Sequence, residues 1–387
     1  MLRSIAIAAL LLAAAPAAAQ KPDAPAAEAR RQPAAPRHWT STRDAATFTP
    51  LGVSFPTRAG RTEAEAPMEF SAQGQSLDNG IQYRSRDGEV IATVYVYRPG
   101  LAHAGLAHYT TDQAIMRHGG PTVRALGTRI VDAGGAAGVA IRSDYSGYRG
   151  AGRSTAAFIK VDGWIVKLRV SGSEGRAGDV DAAMNALLAG IRWGSEPPRQ
   201  AERLTVARCS GDEGRTAART QEFTDEQVAA VGVLTTLDGG GVAATEDGER
   251  RILPSRVPQT LCLSSSIRLG DQNVDVLRAP AGPQPGVFGR TRLLVPISDN
   301  GGTLEVVALP TAGRHVILYH MVGETAVLGA YDGPVSDAQL TEIISGRDRE
   351  ATRIRATTRF SATGGPDVEL RPSSPAPEPA TPATPTT

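Results

Sequence analysis

Two stretches of this chain carry the same signal, "IQYRSRDGEVIATVYVYR" and "STAAFIKVDGWIVKLRV". In each, a strand-like run enters an Asp-Gly pair and leaves it again as a second run. Asp-Gly favours a two-residue hairpin turn, because the turn needs positive φ and glycine adopts it without steric cost. Both regions are therefore committed to antiparallel sheet. In the second hairpin Ala157, Ile159 and Val161 register opposite Leu168, Val166 and Trp164, and Lys167 and Arg169 take the other side. In the first, Val90, Ala92, Val94 and Val96 share a core face with Ile81 and Tyr83. The opposite face holds Ile91, Thr93, Tyr95 and Tyr97 with Gln82 and Arg84. That face is too apolar for open water and too polar for a dry core, so a helix is expected to cover it partly, with tyrosine hydroxyls at the rim.

Further elements flank these hairpins. "TPLGVSFP" places Leu51, Val53 and Phe55 on one strand face. "TTDQAIMRHGG" reads as a short helix starting at Thr110 and stopped by Gly119. "DVDAAMNALLAGI" aligns Val180, Met184, Leu187, Leu188 and Ile191 on one helical stripe. "SDYSGYRGAG", residues 143–152, reads as a long hairpin tip, because glycines 147, 150 and 152 disfavour a packed position. Tyr145, Tyr148 and Arg149 are then expected near the surface. Tyrosine and arginine often carry interface energy, so these three form a candidate partner-binding loop.

An opening strand "LGVSFP", a hairpin into "VIATVYVYRPG", a helix, then "GWIVKLRVSG" and an amphipathic helix ending at Trp193 resemble the PsbP/DcrB-like family. The resemblance spans residues 47–194. It implies an antiparallel sheet with helices on both faces and an accessory or binding role. The family has no shared catalytic residues, so the resemblance supplies no site.

Beyond a Pro-Pro linker at 195–202, a second domain is expected over residues 203–346. Thr224 and Ser336 each open a T/S-x-x-Q capping box before a helix, and several strand-like runs lie between. The fold class read from these patterns is α+β, two domains each with an antiparallel sheet and flanking helices. Cys209 and Cys262 both sit on strand-like runs and are expected to form a structural disulfide.

The ends differ in composition. Residues 1–19 have Arg3, an apolar "IAIAALLLAAA" and a small-residue Ala17-Ala18-Ala19 site, the pattern of a secretory signal peptide. Residues 20–46 and the charged, then Pro-rich 347–387 are read as a disordered linker and tail. No other stretch is long and apolar enough to span a bilayer. A net charge of +1 without a Lys/Arg cluster argues against nucleic acid as a partner.

Catalytic signatures are absent from the sequence. The six histidines lack metal-ligand spacing, and there is no G-x-S-x-G elbow or S-x-x-K. "GGGVAA" matches a dinucleotide fingerprint in letters alone, because "TEDGERR" follows it in place of a helix. No catalytic, cofactor-binding or metal-binding residue is assigned. The expectation is a secreted or periplasmic binding or accessory protein, with an envelope protein as its partner. The alternative is an envelope hydrolase whose active site assembles from dispersed residues. A passive spacer is the third class.

Overall fold

The computed structural model describes residues 32–33, 36–71, 74–148, 151–194, 196–210, 217–237, 242–244, 250–252, 257–270, 272–280, 290–309 and 314–371. Seven short strands come first: Gln32–Pro33 (β1), Trp39–Ser41 (β2), Ala45–Phe48 (β3), Val53–Pro56 (β4), Arg58–Ala59 (β5), Thr62–Ala64 (β6) and Met68–Glu69 (β7). The long hairpin Asp78–Ser85 (β8) and Val90–Tyr97 (β9) follows, then helix Ala104–His118 (α1). Strands Arg124–Ala133 (β10), Ala136–Tyr148 (β11), Ala151–Val161 (β12) and Trp164–Gly172 (β13) lead to helix Ala177–Gly190 (α2).

The hairpin registers are those the Asp-Gly turns require. Val161 pairs with Trp164, Ile159 with Val166 and Ala157 with Leu168, and Ile81 faces Val94 in the other hairpin. Strand β13 then pairs with β9, setting Leu168 beside Val94 and merging both apolar faces into one. The stripe of α2 covers that face with Val180, Met184, Leu187 and Leu188, joined by Trp39, Phe48 and Phe55. The sheet has ten strands, in the order β1-β7-β8-β9-β13-β12-β11-β10 with β5 and β6 attached, and β2–β4 form a small sheet of their own.

The second half runs through Thr205–Arg208 (β14), Thr220–Gln221 (β15), helix Asp225–Leu237 (α3), Val242–Ala244 (β16) and Arg250–Ile252 (β17). Six longer strands follow: Thr260–Leu269 (β18), Gln272–Arg278 (β19), Arg290–Pro296 (β20), Thr303–Ala308 (β21), His315–Met321 (β22) and Glu324–Tyr331 (β23). Helix Asp337–Ile344 (α4) precedes Ala356–Arg359 (β24) and Asp367–Leu370 (β25). These form a second ten-stranded sheet, β14-β18-β19-β20-β21-β22-β23-β24-β25 with β15 on β23, while β16 and β17 pair alone. Helix α4 buries Leu340, Ile343 and Ile344 on one face, against Val306, Ile317 and Leu328. Helix α3 sets Val228 and Val231 against Val307, Leu318 and Val327 on the other. Both capping boxes form, at Thr224 and at Ser336.

The expected α+β class, a helix–sheet–helix sandwich in the first half, is wrong. The chain is mostly β, with 48% strand and 18% helix. Strand β10 is an edge strand exposed over most of its length, so it carries no alternating apolar pattern to announce it. The short strands at 58–69 are too brief to show a period. The expected disordered segments also hold structure: β1 and β2 lie inside 20–46 and pair with β7 and β3, and β24 and β25 extend the second sheet beyond 346. The proposed signal peptide and the last sixteen residues lie outside the described residues.

Candidate functional site

Helix α1 begins at Ala104, earlier than the Thr110 start expected from its capping pattern. The cap is His103, whose Nδ1 accepts the Leu106 N–H at 3.0 Å, a residue type that sequence rules do not list for this role. Burial holds the His103 imidazole down to about 4, so it stays neutral and keeps its acceptor. The helix lies between the two sheets. Ala104 and Ala107 pack on Tyr97, Phe158 and Ile165 of the first sheet, while Leu101 and Leu106 pack on Leu261, Leu277 and Leu294 of the second.

A seam of polar groups surrounds this packing. Lys167 Nζ, on the face shared with Tyr95, reaches Asp299 in the β20–β21 turn at 2.8 Å. Its ammonium lies 5.6 Å from the Tyr95 ring centre and 6.0 Å from that of Phe158. The Lys167 charge holds the Asp299 carboxyl below its ordinary range. Asp78, on β8, is instead pushed up to about 7 by burial, with Lys167 opposing and Asp299 reinforcing the shift. Tyr109 Oη donates to Asp275 at 2.8 Å, and Arg117 approaches the same carboxylate at 3.6 Å. Arg98 stacks over Trp164 and Phe360, at 5.8 and 5.0 Å. The half-covered tyrosine face is thus closed by α1 and by the second sheet's own turn.

Beside the seam lies an acid–base–hydroxyl series. His320 Nε2 is 2.9 Å from Glu305 Oε2, and His320 Nδ1 is 2.9 Å from Thr325 Oγ1. Thr291 Oγ1 donates to the other Glu305 oxygen. The order hydroxyl, imidazole, carboxylate is that of a nucleophilic triad, but the ring nitrogens are exchanged, with the hydroxyl on Nδ1 and the carboxylate on Nε2. Its setting is that of a structural network. Glu305, His320 and Thr325 are each 0% exposed. Gly100 lies over the series, its N–H donating to Met321 O at 2.8 Å, and a Cβ there would stand 2.3 Å from Thr325 Oγ1.

Sequence reasoning missed this group. His320 has no metal-ligand spacing to mark it, Glu305 is one charged residue inside an apolar strand run, and Thr325 follows Glu324 at the start of another. A buried carboxylate inside "TLEVVA" was the available signal, since an unpaired charge there would be costly.

A cavity of about 360 Å³ opens at the far end of the first sheet, between α2 and the β10–β11 turn. Arg129, Val131, Arg142, Asn185 and Leu188 contribute to its wall. Arg142 is buried and fully used, donating to Asp144 at 3.0 Å, Asn185 at 2.7 Å and Asp181 at 2.8 Å. Arg129 pairs with Asp144 but its side chain is still 51% exposed.

The expected surface positions of Tyr145 and Tyr148 are corrected. Tyr145 is 0% and Tyr148 3% exposed, in a cluster with Ile115 and Val123. Tyr145 Oη donates to Asp112 on α1 at 2.9 Å, and the Arg169 guanidinium lies 4.9 Å from the Tyr148 ring centre. The reason is length. Strand β11 runs to Tyr148, which pairs with Ala151, so the presumed long tip is strand with its tyrosines in register. Gly147, at φ +71°, serves a close approach to Thr122 O rather than an open loop. Arg149 lies outside the described residues.

Cys209 and Cys262 are joined, as expected, with their Cα atoms 4.9 Å apart across 53 residues of chain. Among the described residues no group of three or more His, Cys, Asp or Glu is placed to hold a metal. No helix among them is long and apolar enough to cross a membrane. No family model and no curated protein matches the chain.

Proposed function

We propose that the protein is a secreted or periplasmic accessory protein of the cell envelope that works by binding and has no catalytic centre. The observation that carries this reading is the employment of its acid–base groups. Lys167 and Asp299 join the two sheets and Tyr109 and Asp275 join α1 to the second, and Thr325, His320 and Glu305 are sealed beneath Gly100. A nucleophile must meet its substrate, and a hydroxyl with no exposed surface cannot without the seam opening. The disulfide supports an oxidising compartment. The resemblance of residues 47–194 to the PsbP/DcrB-like family supports an accessory role.

A hydrolase is the second reading, and the Thr325–His320–Glu305 series is what favours it. A binding partner and a hydrolytic site are separable by experiment. A photo-crosslinking residue in place of Ala189, on the open cavity wall, is expected to yield a discrete adduct with another envelope component in living cells. Absence of any adduct, together with ester or peptide turnover lost in His320→Ala, would replace this reading by the hydrolase.

A further inference from the structure

The ten-residue strand β10 ends the first sheet, pairing with β11 on one side only. No backbone hydrogen bond from another element reaches Arg124–Asp132 on its outer side among the described residues. Such an edge is a template for a further strand. Its side chains are also unusually apolar for solvent: Leu126 is 54% and Ile130 45% exposed, two of the five exposed large apolar residues among those described.

The sequence of the strand is close to self-complementary about its centre. In an antiparallel pairing with a second copy, centred on Thr128, Leu126 stands opposite Ile130 of the other copy. Gly127, which has open space where a Cβ would be, stands opposite Arg129 and leaves room for its long side chain. At the two ends Arg124 approaches Asp132 of the second copy, both exposed here. The ladder with β11 shifts register at Leu126 and again at Asp132, so its regular stretch is Gly127–Val131; Asp132 Oδ1 also accepts the Gly138 N–H at 2.8 Å, which leaves its other oxygen for the long arginine arm.

We infer that β10 is the interface of a two-fold dimer, in which two copies of this chain pair edge to edge about Thr128 and join their first sheets into one. The C-terminal segment of the chain itself is a poorer occupant. Residues 372–387, "PSSPAPEPATPATPTT", are dense in proline, which cannot donate to a ladder. A two-fold pairing also satisfies both copies with one surface. The inference does not depend on the binding reading above, since the cavity beside Arg129 stays open on the α2 side of the sheet.

Sedimentation of the purified chain between about 1 and 200 μM tests it, over a range in which modest interfaces dissociate. The expected result is a reversible dimer. Ile130→Lys is expected to leave a monomer whose melting temperature matches that of the wild type at the lowest concentration, where the dimer has dissociated, because the side chain is exposed in the single chain. Arg124→Asp is expected to weaken the dimer roughly fivefold, and adding Asp132→Arg to restore it to within about twofold, as cross-strand charge pairs would give. A monomer at every concentration, or a dimer indifferent to Ile130→Lys, overturns the proposal. A double charge exchange that restores nothing overturns the Thr128 register.

Discussion

Asp78 shows how the seam tunes a single residue. Its carboxyl is half-buried beside Asp299, and burial raises it to about 7 from an unfolded value of about 3.8. A raised folded value favours the protonated form, so its contribution to stability is fully present below the unfolded value. That contribution is lost as pH rises through the folded value. Asp78→Asn keeps the group neutral at every pH. The variant is expected to melt higher than the wild type at pH 8, and the difference is expected to close by pH 4. Melting curves across that range check it; a constant difference would show that the carboxyl does not titrate there. His108 works in the other direction. Burial holds its ring down to about 4, and Nε2 sits 2.6 Å from Ser143 Oγ, so the stability it contributes is lost as pH falls from 6.5 toward 4.

At the scale of elements, the segment from Arg98 to Leu101 acts as a strap. Pro99 bridges to Val322, the Gly100 N–H donates to Met321 O at 2.8 Å, and the Gly323 N–H donates to Arg98 O at 2.8 Å. Glycine is required at position 100 for space: an added Cβ would lie 2.6 Å from Glu324 O as well as against Thr325. Gly100→Ala is expected to cost about 1–3 kcal/mol, the usual range for overpacking, read from chemical denaturation. A cost within error of zero would show that the strap can lift. The same scale shows what the sequence discloses. Hairpins and caps were legible because they are local: Asp162 adopts φ +51° in its turn, and Ser336 caps α4 as its spacing requires. The seam was not legible, because Lys167 and Asp299 are 132 residues apart and meet only when two sheets are stacked. The edge strand β10 was missed for the opposite reason, since exposure removes the apolar alternation that marks a strand. The burial of Tyr145 is hidden in the sequence because the glycines near it suggest a loop, whereas in the fold they serve close packing.

For the whole molecule, α1 packs against both sheets, and residues 196–202 pack beside it. Ala201 N–H donates to Gly138 O at 2.8 Å, and Gly105 packs under the Glu202 carbonyl. Trypsin is expected to cut after Arg199, which is exposed, yet the two fragments should remain together in gel filtration and part only in denaturant. Fragments that separate under native conditions would show that the seam contributes little. The disulfide lies wholly within the second fragment, so it cannot account for retention.

We propose that the Thr325–His320–Glu305 series holds structure and performs no chemistry. Its most direct test is incubation of the folded protein with an electrophilic fluorophosphonate, followed by peptide mass spectrometry at Thr325. A sealed hydroxyl gives no adduct in the native protein, and Thr325→Val then lowers the melting temperature through the loss of the His320 partner. An adduct on Thr325 that disappears in His320→Ala would contradict the account and make this protein a hydrolase.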